Sequence, residues 1–257
     1  MGSHNGQKGY LMHHFFVNPD QIGQDEIVIT GPDVSHIKNA LRMKIGEELR
    51  LCTGQDAMDY RCRIESIENE KIITRILWAE ENGAELPSRL VLYQSLPKSD
   101  KMELIVQKAV ELGAWEIVPV ESERCVVRLT SSRAENKIKR WNAISLSAAK
   151  QAKRMHIPEV HNLLTYSEAL THAANLDHIL IPYERAEDIG QSRAILQSIR
   201  PGESVGIFIG PEGGFEEKEV AMAMEAGAKP ITLGKRILRT ETAGMCVLSL
   251  LMFMLEQ

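Results

Sequence analysis

The chain has 257 residues, 44% of them hydrophobic and 25% charged, and its formal net charge is −5 at pH 7. This length allows one or two domains with a sizeable core, and the charge argues against a uniformly basic nucleic-acid-binding protein. No segment approaches the roughly eighteen consecutive apolar residues of a membrane span, so we expect a cytoplasmic protein with no membrane partner. Residues 1–11 lack the apolar core of a signal peptide and look partly added by cloning, so we expect the native chain to start at Met12.

The cysteine and histidine patterns indicate neither a disulfide framework nor a metal site. The four cysteines, at positions 52, 62, 125 and 246, form no Cys-x-x-Cys pair, so free thiols are expected. His13 and His14 are adjacent, and neighbouring residues of a strand point to opposite faces, so this pair cannot chelate one ion without help. We therefore predict no metal.

Short β-prone segments fill residues 12–78. The predicted strands span residues 13–17, 26–29, 48–52, 59–67 and 72–78. A helical pattern intervenes at 33–41, with Asp33 as the expected N-cap. This arrangement predicts a small β-barrel. Arg42 and Lys44 lie near the start of a strand and are candidate RNA contacts, although ordinary turn chemistry accounts for them equally well.

The pattern changes after the polar stretch 79–87, which we expect to be a linker. Predicted strands at 89–95, 115–120, 178–182, 205–209 and 231–233 alternate with predicted helices at 101–112, 134–154, 191–198, 216–226 and 241–255. Such alternation predicts an α/β domain over residues 88–257, with a parallel sheet covered by helices on both faces. Sheets of this kind bind ligands beyond the carboxyl ends of their strands.

Two glycine-rich turns follow predicted strands near the end of the chain. The first is Gly210-Pro211-Glu212-Gly213-Gly214, and the second begins at Leu233-Gly234. Neither fits the Walker loop or the dinucleotide fingerprint, and the carboxylate of Glu212 would repel a phosphate. A ligand with an adenine edge, ribose hydroxyls and a cationic centre suits the first turn better, and S-adenosylmethionine is such a ligand. For the first turn alone, a plain tight connection is an equal alternative.

A local basic patch stands out against the acidic background. Residues 133–154 contain seven Lys or Arg and one Glu. Local patches of this kind drive phosphate binding whatever the overall charge, while a solvated helix face is the alternative. The candidate RNA contacts in this patch are Arg133, Lys137, Lys139, Arg140, Lys150, Gln151 and Lys153.

Taken in order, the motifs of the chain resemble those of the bacterial 16S ribosomal RNA uridine-N(3) methyltransferases, a branch of the SPOUT class. The matching pieces include Leu96-Pro97-Lys98, the stretch 149–154 (AKQAKR), the stretch 209–215 (IGPEGGF) and the stretch 233–243 (LGKRILRTETA). The resemblance covers nearly the whole chain from Met12. Two positions depart from the family pattern, His13-His14 and Lys235. Family members often carry arginine near the start of the first strand, where this chain has His13-His14, so the resemblance does not supply an arginine contact to RNA there.

The resemblance implies a deep trefoil knot in a SPOUT-type C-terminal domain, a PUA-like N-terminal barrel, a homodimer, and 16S ribosomal RNA of the small ribosomal subunit as the substrate. The implied contacts to S-adenosylmethionine are Ile209, Gly210, Pro211, Glu212, Gly213, Gly214, Leu233, Gly234, Ile237, Leu238, Thr240, Glu241 and Thr242.

On the acceptor side, Arg239 and Arg154 are the candidates for binding the charge that develops on uracil or the flanking phosphate. Glu111 or Glu184 would orient an arginine, and Lys98 would add an RNA contact. Two alternatives stay open. A SPOUT methyltransferase could act on another RNA or position, and a non-catalytic RNA-binding protein could share the barrel and the basic patch.

Overall fold

The computed structural model describes residues 12–55, 58–81, 85–186 and 188–256, so the segment 1–11 lies outside the described residues. The chain divides into two compact units, Met1–Gly83 and Ala84–Gln257. Within the described ranges, no helix has the length and apolar character needed to cross a bilayer.

The first unit is built on a five-stranded sheet in the order β1-β3-β4-β5-β2. Its strands are β1 (His14–Phe16), β2 (Glu26–Thr30), β3 (Glu48–Cys52), β4 (Met58–Ile67) and β5 (Lys71–Glu81). Strand β1 pairs with β3 in parallel, and the other pairs are antiparallel. Alternate side chains such as Ile27, Leu49 and Ile72 are fully buried in one core. The unit therefore has the β-rich architecture that the sequence predicts.

Two local predictions in this unit are wrong. Helix α1 (Pro32–Ser35) begins after Gly31, so Asp33 is not its N-cap, and it continues as a π-helical turn at His36–Ala40. Proline favours the first helical position, where its missing N–H costs nothing. Strand β5 also runs into the expected linker, because Glu80 and Glu81 still pair with β4.

The second unit contains a parallel sheet in the order β12-β10-β11-β6-β7-β8, with β9 paired to β7. Its strands are β6 (Leu90–Ser95), β7 (Ala114–Glu121), β8 (Glu159–Val160), β9 (Leu164–Thr165), β10 (His178–Pro182), β11 (Val205–Ile209) and β12 (Lys229–Ile231). Its helices are α2 (Lys101–Glu111), α3 (Ser131–Ala152), α4 (Tyr166–Ala173), α5 (Ile189–Ser198), α6 (Glu217–Glu225) and α7 (Thr240–Leu255). The predicted parallel α/β fold is confirmed.

The central strands β6 and β11 are buried along their whole length, as expected for parallel strands covered on both faces. Strand β12 lies two residues earlier than predicted, so Thr232 and Leu233 belong to the loop that follows it. Helix α4 was not predicted, although its capping box, Thr165 with Glu168, is visible in the sequence.

Candidate functional site

A cavity of about 930 Å³ opens at the carboxyl ends of β10, β11 and β12. Three loops line it, 182–186 after β10, 209–215 after β11 and 232–240 after β12. This volume lies within the range typical of small-molecule sites. Both glycine-rich turns therefore meet in one cavity, as their positions after parallel strands predict.

The first turn needs glycine because its backbone folds tightly on itself. A Cβ at Gly210 would lie 3.1 Å from the carbonyl carbon of Gly214 and 3.2 Å from the Phe215 nitrogen. The Gly214 N–H donates to the Pro211 carbonyl at 2.9 Å, and Gly214 has a φ of +67°. The turn thus presents main chain, without side-chain bulk, towards the cavity.

A buried hydroxyl holds this turn against the start of α7. The Thr240 Oγ1 donates to the Gly210 carbonyl at 2.6 Å and accepts from the Gln94 Nε2 at 2.9 Å. Gln94 lies near the end of β6 and is fully buried. Sequence reasoning missed Gln94, although a polar residue that follows the apolar run 90–93 was a visible signal.

We expect Thr240→Val to weaken both folding and ligand binding. Valine keeps the shape but leaves the Gln94 amide and the Gly210 carbonyl without their partner, at about 1–3 kcal/mol for a buried unsatisfied group. Thermal unfolding should show a lower Tm for Thr240→Val, whereas Thr240→Ser, which keeps the hydroxyl, should stay close to wild type. Equal Tm values for the two variants would contradict the role assigned to the Thr240 hydroxyl.

An ion cluster fixes the outer side of the same turn. The Lys101 Nζ lies 2.9 Å from the Glu212 Oε1 and 3.3 Å from the Glu241 Oε2, and the Lys98 N–H donates to Glu212 at 3.1 Å. Burial alone would raise the pKa of Glu212, but the hydrogen bonds from Lys101 and the Lys98 backbone outweigh it and lower that pKa. Glu212 is therefore a charged anchor for the loop.

Most of the predicted cofactor contacts line the cavity, and two do not. Those that line it are Ile209, Gly210, Pro211, Glu212, Gly213, Gly214, Leu233, Gly234, Ile237, Leu238 and Thr240. Glu241 and Thr242 fall outside the lining, because the helix turns about 100° per residue once it begins at Thr240. Glu241 points to Lys101 instead.

The second loop brings four exposed side chains to the cavity lining: Lys235, Arg236, Ile237 and Arg239. Arg239 is the N-cap residue of α7 and lines the cavity. Within the described part of the chain, no carboxylate pairs with its guanidinium. Ile237 is 90% exposed, which is unusual for an isoleucine and suits contact with a flat ring.

A family profile described as an RNA methyltransferase domain matches residues 84–252, and one described as an RNA methyltransferase PUA domain matches residues 29–77. The ribosomal RNA small subunit methyltransferase E of Bacillus subtilis is 36% identical over 232 residues, which cover 89% of this chain and 90% of the relative. This chain belongs to the methyltransferase E family.

Two further proteins extend the comparison. Methyltransferase E of Mesomycoplasma hyopneumoniae is 35% identical and covers 93% of this chain and 98% of its own. The crystal structure of methyltransferase E from Neisseria gonorrhoeae, bound to S-adenosylmethionine, is 32% identical, has a TM-score of 0.77 and covers 93% of this chain and 95% of its own. The predicted family and the PUA-like character of the N-terminal domain are confirmed.

Arg154, predicted on the acceptor side, lies outside the cavity lining. It is 5% exposed, and its guanidinium lies 2.5 Å from a Glu85 carboxylate oxygen. It also donates to the carbonyls of Val110 and Ala114, at 3.1 and 2.6 Å. All three nitrogens of this guanidinium thus donate hydrogen bonds within the fold. The prediction that Arg154 binds substrate is therefore corrected.

The two candidate acids differ in position. Glu111 lies on α2 outside the cavity lining and pairs with Lys108 at 2.7 Å, so the prediction that it orients an arginine is also corrected. Glu184 lines the cavity in the loop after β10. It therefore remains the candidate that shares a cavity with Arg239.

The predicted RNA contacts of α3 lie on its solvent side. Arg133, Lys139, Arg140, Gln151 and Lys153 are exposed, and Lys137 and Lys150 are half-buried. Some of these charges are already engaged: Arg140 pairs with Glu103 at 2.8 Å, and the Lys137 ammonium lies 5.9 Å from the centre of the Trp141 ring. In the first unit, Arg42 and Lys44 are both exposed.

Proposed function

We propose that this protein binds S-adenosylmethionine in the cavity between the glycine-rich loops and methylates N(3) of a uridine in 16S ribosomal RNA. The observation that carries the proposal is the cavity itself, built from main chain after parallel strands. A relative at 32% identity binds this cofactor. The small ribosomal subunit is the proposed partner, since the family relatives are named for it.

The residues present fit the cofactor. Gly210 lets the turn close on itself, because a side chain there would meet the main chain of Gly214, and the closed turn lines the cavity. Free N–H and C=O groups of the two loops would read the adenine edge, and Ile209, Ile237 and Leu238 would pack on the ring. When bound, S-adenosylmethionine supplies a methyl group on a cationic sulfur. The protein's task is to hold and align the reactants, which is worth roughly 7–11 kcal/mol in well-oriented systems.

On the acceptor side, uracil N(3) carries a proton at neutral pH and gains negative charge as that proton leaves. Arg239 is exposed, lines the cavity and has no carboxylate partner among the described residues. Its guanidinium would stabilise this developing charge or bind the flanking phosphate. Glu184, in the same lining, would orient the guanidinium.

We expect Arg239→Ala to lower kcat for methyl transfer by about 100- to 1,000-fold, the usual effect of removing one donor to a developing anion. Calorimetric titration should show that affinity for S-adenosylmethionine is largely kept. Lys235→Ala is the matched control, since it removes an exposed charge from the same loop and should leave kcat near wild type. Unchanged kcat in Arg239→Ala would overturn the acceptor-side role.

From the family relationship we also propose roles for the two domains, a knot and a homodimer. Residues 12–78 would bind RNA, and residues 88–257 would form a knotted catalytic domain that pairs with a second copy in the cytoplasm. Helix α7 supports the pairing, since Phe253 is 84% exposed and lies near the half-exposed Leu250 and Met254 on the same helix. The exposed cations of α3 would contact the phosphates of the RNA backbone. The target uridine would have to leave its base stack before it could react.

The proposed reaction can be tested in cells. In a bacterial strain that lacks its own methyltransferase E, the wild-type chain should restore 3-methyluridine to 16S ribosomal RNA, as measured by mass spectrometry of the nucleosides. Arg239→Ala should not restore it. Restoration of a different methylated nucleoside would favour another RNA position, and no methylation with intact RNA binding would favour a non-catalytic protein.

A further inference from the structure

Three side chains from separate elements converge at the opposite end of the sheet from the cavity. Glu116 lies near the start of β7, His161 follows β8, and His172 is in the last turn of α4. One potential ligand atom from each of the three lies within 4.8 Å of the other two. The strands are parallel, so a group near the start of β7 lies far along the sheet from loops that follow the strand ends.

The contacts within this group resemble a metal site and its support. The His161 Nε2 lies 2.6 Å from the Glu116 Oε2. The His172 Nδ1 lies 2.7 Å from the Tyr93 hydroxyl, which leaves the His172 Nε2 for another partner. Histidines that bind metals usually donate their other ring N–H to an oxygen in this way. Tyr93 is itself fully buried and stacked on Phe208, with ring centres 4.4 Å apart, so its hydroxyl is firmly placed.

We propose that Glu116, His161 and His172 bind a Zn²⁺ ion, with Tyr93 orienting His172. Two imidazoles and one carboxylate, with water in the fourth position, form a common tetrahedral zinc set. With bonds of about 2.0–2.1 Å, ligand atoms in such a set are about 3.3 Å apart. The Glu116 Oε2 and the His161 Nε2, now 2.6 Å apart, would therefore separate slightly to admit the ion, and a His172 ring nitrogen lies within 4.8 Å of a ligand atom of each. Glu116 and His161 are half-buried and His172 is exposed, so the ion can enter from solvent.

No spacing signature in the sequence marks this site, because its members come from a strand, a loop and a helix that meet only in the fold. Within the described ranges, no other group of three or more His, Cys, Asp or Glu residues is close enough to hold an ion. A bound ion would tie α4 to β7 at one edge of the sheet. Its effect would therefore fall on the stability of that edge and not on the cavity.

A second histidine–carboxylate pair provides the matched control. The His178 Nε2 lies 2.8 Å from the Glu203 Oε2, which is the same contact as that between His161 and Glu116, but this pair belongs to no three-donor group in the described chain. Substituting His178 therefore removes an equivalent ion pair without removing the proposed site.

The test is equilibrium dialysis of the full chain against Zn²⁺, with bound zinc measured by mass spectrometry. Wild type and His178→Ala should bind one ion more per chain than His161→Ala or His172→Ala. All four proteins share the same N-terminal histidines, so the difference isolates this site. Because His172 is exposed, its substitution should leave the fold intact, and thermal unfolding without zinc will verify this.

Tyr93→Phe provides a second readout, since it keeps every ligand and the aromatic stack. Its zinc affinity should fall by about tenfold or more, as expected when the supporting partner of a ligand is lost, with the bound ratio at saturation unchanged. Equal zinc content in wild type and His172→Ala would overturn the site. Unchanged affinity in Tyr93→Phe would overturn the role of Tyr93.

Discussion

Arg154→Ala should lower the free energy of unfolding by about 3–5 kcal/mol, the typical cost of breaking a buried ion pair from one side. The Arg154 guanidinium is 5% exposed and binds Glu85 and two backbone carbonyls. Its loss removes the charge partner of the Glu85 carboxylate, which keeps only the backbone N–H groups of Met155 and His156 as donors, and it removes a donor from both carbonyls. Denaturant unfolding followed by circular dichroism measures the effect.

Lys139→Ala is the control for this prediction, since Lys139 is an exposed cation on α3. It should change stability by no more than about 0.5 kcal/mol. If Arg154→Ala unfolded like the control and instead lost RNA affinity, the buried role assigned to Arg154 would be wrong.

The same pair makes stability depend on pH. Burial alone would raise the pKa of Glu85, but the hydrogen bond and charge of Arg154 outweigh it, so the pKa lies below the usual 4.5. A lowered pKa in the folded state means that the stabilisation is fully present above pH 4.5 and is lost as the pH falls through the folded-state value. Arg154→Ala should lose this part of the acid sensitivity.

Gly210→Ala is expected to distort the glycine-rich turn after β11 and, with it, the cavity that the turn lines. The added Cβ would lie 3.1–3.2 Å from backbone atoms of Gly214 and Phe215, which cannot move without opening the turn. Overpacking of this kind costs about 1–3 kcal/mol. If this free energy is lost from ligand binding, the affinity for S-adenosylmethionine should drop by about 5- to 150-fold.

Gly213→Ala is the matched control in the same turn. Its Cβ would meet only the Arg124 side chain, at 3.5 and 3.6 Å, which is ordinary contact. Calorimetric titration with S-adenosylmethionine should therefore give near wild-type affinity for Gly213→Ala and a marked loss for Gly210→Ala. Equal affinities would mean that the turn does not shape the binding site.

Local sequence patterns are enough to predict many elements of the fold. Strands Glu48–Cys52, His178–Pro182 and Val205–Ile209 begin and end where they were predicted, because each is a short apolar or alternating run bounded by turn residues. The two-residue strands β8 and β9 are too short to leave such a pattern. Strand β12 was misplaced because Pro230 lies inside it, and proline argues against a strand in sequence.

The site was predictable where it depends on turn chemistry and not where it depends on distant partners. The glycine-rich loops are visible because glycine marks close main-chain approach. The hydrogen bond between Gln94 and Thr240 joins residues 146 positions apart, so no local pattern reveals it. Arg154 was misread for a related reason: counting charges in a basic stretch does not show which of them turns inward after the helix ends at Ala152.

The most direct test of the central claim is methyl transfer in vitro. Small ribosomal subunits from cells that lack methyltransferase E would be incubated with the purified chain and S-adenosylmethionine labelled on its methyl group, and the RNA would be digested to nucleosides. We predict label in 3-methyluridine from a single position of 16S ribosomal RNA, with the signal greatly reduced in Gly210→Ala. Absence of label, together with no binding of the cofactor by the wild-type chain, would contradict the assignment of the cavity.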